Sequence, residues 1–417
     1  MSGLPPGRTA SLSDVVVVGG GAAGLSLAYE LAGGPLSVTV VEAPDGGPRP
    51  PERTWCYWDD GSHSVEEAES ASWSRLRVHG ADGAAVTVDP GPLRYRMLRS
   101  TPFERLVHER LARSPGGRVL RATAGEVRGV PGGAEVRCTE PDGRVLALRA
   151  RHVFDSRPLP ALPPARTHLL QHFRGRYVRT AGERFDPAVA GLMDFRVPQP
   201  ARGLAFGYVL PLTTRQALVE YTEFSRAPLS TAAYEAALDR YCREVLRLDA
   251  YSVDTVEQGV IPMTDARFPR RVGPAHFRIG TAGGATRPAT GYTFSAVRRQ
   301  ARAIAAGLRE GRALVPPPHG RRARAMDAVL LRALDAGRVD GPEFFVRLFR
   351  RTPPRRLLRF LDGATAPWED VAVGLGCPVG PMLRTALELP LLSRHSPLPA
   401  APPPPPAASP RGEESDR

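Results

Sequence analysis

The chain contains no lysine. Its 417 residues carry 56 basic side chains, every one an arginine, against 43 acidic ones, for a formal net charge of +13. With abundant Ala, Gly and Pro, this is the mark of GC-rich coding, and composition explains the charge as well as a basic working surface does. Such a surface suits nucleic acid or anionic lipid. No nucleic-acid motif is recognisable, so no nucleic-acid partner is expected and lipid is the better guess. Cysteine is scarce: Cys56, Cys138, Cys242 and Cys377 lie far apart and form no C-x-x-C pair. A disulfide framework or a metal site is therefore not expected, and a reducing cytoplasm fits. No apolar run reaches about 18 residues, so no spanning helix is expected. The lead, residues 1–13, lacks the apolar core of a signal peptide, and no internal repeat is visible. Hydrophobic content of 42% and charged content of 24% are ordinary for a soluble globular protein. The length allows two or three domains.

What is present begins with glycine. Residues 14–18 (DVVVV) run directly into GGGAAG, in which Gly19, Gly21 and Gly24 fit G-x-G-x-x-G between a strand and a helix start. Such a turn lets the backbone approach a pyrophosphate, and the free amides of the helix N-terminus face its charge. Residues 37–41 (SVTVV) supply a second strand ending in Glu42, placed to accept from a ribose hydroxyl pair. The alternative is an ordinary tight turn with no ligand.

Punctuation along the rest of the chain divides it into a nucleotide-binding domain (11–164), a strand-rich substrate domain (165–262), a return to the nucleotide domain (263–320), a helical region (321–395) and a Pro-rich, disordered tail (396–417). Residues 101–113 read as a helix capped by Thr101, with Pro102 in its first turn. Residues 118–150, split by PGG and PDG, read as a small β-meander. Residues 203–212 and 216–224 read as adjacent strands, 230–246 and 294–308 as helices. The stretch 344–361 (FFVRLFRRTPPRRLLRFL) mixes aromatic, leucine and arginine residues as a bilayer-dipping surface does; a soluble helix pair broken at Pro353–Pro354 is the alternative.

A second glycine-rich segment, residues 279–295 (IGTAGGATRPATGYTFS), follows another strand. Gly283, Gly284 and Gly291 permit close backbone approach. Two distant segments of this kind embrace one dinucleotide in FAD proteins. Between and around them stand, in order, RTWCYW (53–58), YRMLRS (95–100), FDSRP (154–158), QHFRG (171–175), LMDFR (192–196), GYVLPL (207–212), VEYT (219–222), GVIPMT (259–264) and, after the second glycine segment, FLDG (360–363). This ordered set resembles the lycopene cyclase family of flavoproteins, in its bacterial β-cyclase branch, over roughly residues 12–365. The resemblance implies an α/β fold: a Rossmann-type FAD-binding domain of the flavin hydroxylase and geranylgeranyl reductase kind, with an inserted mainly β substrate domain and C-terminal helices. It implies reduced FAD as cofactor, NAD(P)H as its reductant, lycopene or a related carotenoid as substrate, and a cytoplasmic enzyme held peripherally at the inner face of the cell membrane. A flavin hydroxylase or prenyl-chain reductase on the same fold, and a non-catalytic carotenoid or flavin carrier, stay open as alternatives.

Cyclising a hydrocarbon end group requires a carboxylic acid that remains protonated near neutral pH, and burial among apolar groups provides it. Two carboxylates have such surroundings in sequence. In a strand, Leu218, Glu220, Thr222 and Phe224 share one face, with Ala217, Val219 and Tyr221 on the other. Glu220 is the first choice for the acid, with Asp194 assisting; an ion pair to one of many arginines is the alternative for each. Trp55, Tyr57, Trp58, Phe173, Phe195, Phe206, Tyr208 and Tyr292 are candidates to line a polyene tunnel and face a carbocation. Arg96 and Arg99 are candidates for FAD contact or plain surface charge, with Arg99 preferred. His172, lacking ligand partners nearby, reads as structural.

Overall fold

The computed structural model describes residues 12–47, 51–61 and 65–396. Residues 1–11, and the tail beyond Ser396, lie outside them.

The strand Ser13–Val18 is buried on both faces, which a run of valines satisfies and an alternating pattern does not. Val15 and Val17 pack on the helices Ala22–Leu31, Ser100–Ala112 and Phe294–Arg309; Val16 and Val18 pack on Ala134, Val136, Cys138 and Leu148. The strand lies parallel to Val38–Glu42 on one side and Val145–Asp155 on the other. Gly117–Arg121 extends the sheet beyond Val38–Glu42. His276–Arg278 returns far later in sequence to pair in parallel with the end of Val145–Asp155. Thr123–Val130, Gly133–Thr139 and Val145–Asp155 form the expected meander. The helix at 101–113 begins one residue earlier than expected. Strand Arg94–Arg99 runs straight into it, so the cap position falls on Arg99 and Thr101 sits inside the first turn.

A second seven-stranded sheet runs in the order Tyr251–Thr264, His168–Thr180, Gln216–Ser225, Leu204–Pro211, Val189–Asp194, Arg75–His79, Ala85–Val88. Its last two strands come from the segment before residue 165. One face carries the helix Thr231–Arg240 and the π-turn Tyr241–Val245, packed on Val178, Ala217, Val219 and Tyr221. The other face carries Leu204, Phe206, Leu218 and Phe224, and against it lie the C-terminal helices.

Those helices are Arg321–Asp335, Gly341–Arg351, Pro354–Leu361, Pro367–Leu375 and Val379–Glu388. The chain breaks at Pro353–Pro354, as the helix-pair alternative required. Phe344, Phe345, Leu348, Phe349, Leu357, Leu358 and Leu361 are all buried in the cluster that covers the second sheet. The aromatic and leucine side chains of 344–361 therefore cover the protein's own sheet and are not the ones that could dip into a bilayer. FLDG acquires a structural role at the same place. Asp362 pairs with Arg299, and Gly363 adopts φ +71, where an added Cβ would stand 2.3 Å from the Arg287 guanidinium. Arg287 in turn donates to Asp327 at 2.6 Å, both side chains being buried. No helix among the described residues is long and apolar enough to cross a membrane.

Candidate active site

The first glycine turn is built by packing on three sides and left open on the fourth. Gly19 has φ +102, and a Cβ there would lie 2.4 Å from the Ser156 hydroxyl. A Cβ on Gly24 would lie 1.9 Å from the Gly19 carbonyl, so helix and strand approach only because that residue is bare. Gly21 is different. It is the N-cap of Ala22–Leu31 at an ordinary φ of −88, its side-chain position meets nothing within 4 Å, and no side chain caps the helix. Free amides therefore face open space. Glu42 is buried directly beneath, with its carboxylate 2.4 Å from a Cβ built on Gly20. His108 contacts it at 3.0 Å and Arg121 at 2.8 Å.

The second glycine segment comes to the same helix. Gly280 has φ +63, and a Cβ on it would fall 2.6 Å from that of Ala23. Gly283 backs onto the Arg278 carbonyl and Gly284, at φ +82, onto Phe268. Gly291, at φ +71, leaves room for the Gln171 amide. The two segments thus meet around an open helix N-terminus, a cradle that fits the pyrophosphate and ribose of a dinucleotide.

Beyond Gly291 opens a cavity walled by the second seven-stranded sheet, by strands Thr54–Asp59 and Arg94–Arg99 of a separate three-stranded sheet, and by Thr290–Phe294. Of the aromatic residues proposed to line a polyene tunnel, Trp55, Phe173, Phe206, Tyr208 and Tyr292 stand in its wall. Tyr57, Trp58 and Phe195 do not. Tyr57 packs 5.1 Å from Phe294 in the nucleotide core, Trp58 stands behind Tyr292 at 4.7 Å, and Phe195 backs Phe206 at 6.1 Å. Strand Thr54–Asp59 runs away from the cavity, so only its first half reaches the wall. Phe345 of helix Gly341–Arg351 closes the far side.

Glu220 projects into this cavity from strand Gln216–Ser225, on the same face as Leu218, Thr222 and Phe224. The Thr222 hydroxyl donates to it at 2.6 Å. Burial, reinforced by the nearby charge of Glu257, pushes its carboxyl up to about 8. Glu257, unremarked in the sequence, faces the same cavity. Both carboxylates pair in register with Gly175 of the strand between them, about 10 Å apart at Cα from strand spacing alone. A side chain on Gly175 would meet Leu218 at 2.9 Å and Glu220 at 3.4 Å, so the bare position keeps the space between the carboxyls open. Thr54 donates to Glu257, and Thr54 also shares a 2.6 Å hydrogen bond with the Tyr177 hydroxyl. Burial raises the Glu257 carboxyl too, while Thr54, Arg53 and Arg99 pull it back. The pair is therefore asymmetric: Thr54, Arg53 and Arg99 favour the charged form of Glu257, whereas Thr222 alone does so for Glu220.

Asp194 has another fate. Arg196 donates to both its oxygens, at 2.8 and 2.6 Å, the Tyr241 hydroxyl donates at 2.9 Å, and His79 lies 3.6 Å away. Against the cost of burial, Arg196 holds the carboxyl below the usual carboxylate range. Asp194 is absent from the cavity wall, which Leu192 and Met193 supply. The expectation of a second acid there is corrected to a structural ion pair. Arg99 pairs with Glu52 and lies 4.9 Å over the Tyr177 ring, and Arg96 pairs with Glu69. His172 is buried between Tyr234 and Ser225, each at 2.7 Å, as a structural histidine would be.

Fold and cradle together define a Rossmann-type α/β protein with the architecture of flavin-dependent monooxygenases and reductases. Crystal structures of that class align along nearly the whole chain. A geranylgeranyl bacteriochlorophyll reductase-like protein from Thermoplasma acidophilum is 14% identical at a TM-score of 0.58, covering 92% of this chain and 97% of its own. A flavoprotein/dehydrogenase from Cytophaga hutchinsonii is 11% identical at 0.63, covering 91% and 99%. The flavin-dependent monooxygenase PieE, solved with FAD and substrate, is 14% identical at 0.57, covering 92% and 72%. At these identities the likeness is one of fold. Among curated proteins none matches. The family model described as lycopene cyclase protein matches residues 14–387, and the chain belongs to that family.

Proposed function

We propose that the protein is a lycopene β-cyclase, closing ψ-end groups of lycopene into β-rings to give γ- or β-carotene. The observation that carries this reading is Glu220: a carboxyl raised to about 8 inside an apolar cavity that opens onto the second glycine segment, in a chain of the lycopene cyclase family. At neutral pH such a group holds its proton and is able to give it to an alkene. Glu220 donates to C2 of the terminal C1=C2 bond. The cation at C1 is captured by C5=C6, which forms the six-membered ring, and loss of the C6 proton leaves the new double bond. One proton enters and one leaves, so no oxidant or reductant is consumed. Trp55, Tyr208 and Tyr292 present aromatic groups to the positive charge during closure. Glu257, facing Glu220 across Gly175, disfavours its ionisation and so helps it keep its proton.

FAD is the cofactor that the cradle fits. Gly19, Gly21, Gly24 and the amides after Gly21 would hold its pyrophosphate, Glu42 its adenosine ribose, and Gly283, Gly284 and Gly291 the segment leading to the ring system. Once bound and reduced by NAD(P)H, a flavin held by these residues would supply negative charge able to stabilise a carbocation. The hydrocarbon substrate partitions into lipid, which puts the enzyme at the cytoplasmic face of the membrane.

The test is expression in a lycopene-accumulating bacterial host. γ- or β-carotene is expected in the pigment extract; unchanged lycopene, with flavin-loaded soluble protein present, overturns the reading. Stoichiometric consumption of NAD(P)H with product would identify a reductase or hydroxylase instead.

A further inference from the structure

The helices Pro367–Leu375 and Val379–Glu388 dock by their inner sides. Val373 and Thr385 are buried, and Cys377 and Met382 pack on the cluster that backs the cavity. Their outer sides are also apolar. Trp368, Val371 and Leu375 stand one helical step apart, followed by Leu383, Leu387 and Leu391 at the same three- to four-residue spacing. Leu375, Leu387 and Leu391 are 70%, 69% and 83% exposed, and Trp368 is 64% exposed. Scattered exposed leucines are normal; apolar stripes on two successive helices mark an interaction surface.

The charges around the stripe identify its partner. Four acids lie between residues 344 and 396, and each is engaged: Asp362 with Arg299, Glu369 with Arg359, Asp370 with Arg322, Glu388 with Arg332 and Arg338. Arg350, Arg351, Arg355 and Arg384 are exposed and make no ion pair among the described residues. The Arg356 guanidinium lies 5.2 Å over the Trp368 ring, joining the basic helix Pro354–Leu361 to the stripe. Two copies brought together on this face would oppose like charges. An anionic bilayer takes both parts at once, with leucines in the acyl boundary, an exposed Trp at the interface and arginines on lipid phosphate.

We propose that the outer face of residues 368–391 is the surface by which this protein docks on an anionic lipid bilayer. The proposal rests on the membrane-soluble substrate of the preceding section only as the reason for a bilayer. Its test needs no turnover, so the two can fail separately. Purified full-length protein is sedimented with phosphatidylcholine vesicles, alone or containing phosphatidylglycerol. The wild type is expected to partition to the phosphatidylglycerol vesicles about tenfold better than to phosphatidylcholine alone. The triple variant Leu375→Ser, Leu383→Ser, Leu387→Ser is expected to lose about a hundredfold in partitioning, with its thermal unfolding and flavin spectrum intact. As a readout on the unaltered surface, brominated lipid should quench wild-type fluorescence more than that of Trp368→Phe. Equal binding by wild type and triple variant overturns the proposal. So does a wild type that stays in the supernatant with phosphatidylglycerol vesicles, or one that is dimeric without lipid while the variant is monomeric.

Discussion

Glu220 and Glu257 divide one task between two identical side-chain chemistries. The Glu220 carboxyl titrates near 8 when folded and near 4.5 when unfolded. Between those values the folded state binds the extra proton, so stability falls as pH rises through that window and is greatest below it. Glu220→Gln should flatten this dependence, measured as Tm against pH, and should lower cyclisation by at least about a hundredfold with flavin retained. Glu257→Gln removes a charge that raises Glu220. Its pH–rate profile should lose activity on the alkaline side at a lower pH than wild type, a shift that a merely structural role would not produce. Glu220 was legible in the sequence because a regular strand alternates, and its apolar neighbours two residues away name its face. Asp194 was not. Its strand is irregular between Gly191 and Asp194, which turns the carboxylate toward Arg196 and Tyr241, and nothing local announces the irregularity. Glu257 was hidden because its relation to Glu220 runs through Gly175, in a strand distant from both in sequence.

At the scale of elements, the glycine turn separates fold from ligand. Gly21→Val adds a side chain where the protein has nothing, so thermal stability without flavin should change little while flavin content of the purified protein drops sharply. Gly24→Ala instead drives a methyl into the Gly19 carbonyl. It should destabilise the protein itself, by about 1–3 kcal/mol, read by denaturant unfolding. The strand–turn–helix unit and the second glycine segment were both readable from local pattern, since each is fixed by short-range sterics. Which aromatics face the cavity was not. Trp55 and Tyr57 are equally aromatic, and only the direction in which their strand leaves the wall distinguishes them.

Across the whole molecule, the C-terminal helices hold the nucleotide domain through a buried pair as well as through Arg299 and Asp362. Arg287 belongs to the second glycine segment and Asp327 to helix Arg321–Asp335. Removing one partner leaves the other charged and dry. Asp327→Ala should therefore cost about 3–5 kcal/mol, seen as a lower Tm, and should also weaken flavin retention. The domain-level reading of the chain anticipated helices after residue 321 but not their hold on a loop so far upstream, because a long-range ion pair leaves no periodic trace. The positive φ of Gly363 carries this further. The Arg287 head occupies the space where a side chain at 363 would stand, so the two positions fit only together. During synthesis the segment around Arg287 leaves the ribosome before its counterpart exists. That segment gains its full set of partners only once residues 327 and 363 have been made, so a stop codon before residue 363 is expected to leave the Arg287 head without Gly363 beside it and to lower the flavin content of the purified protein.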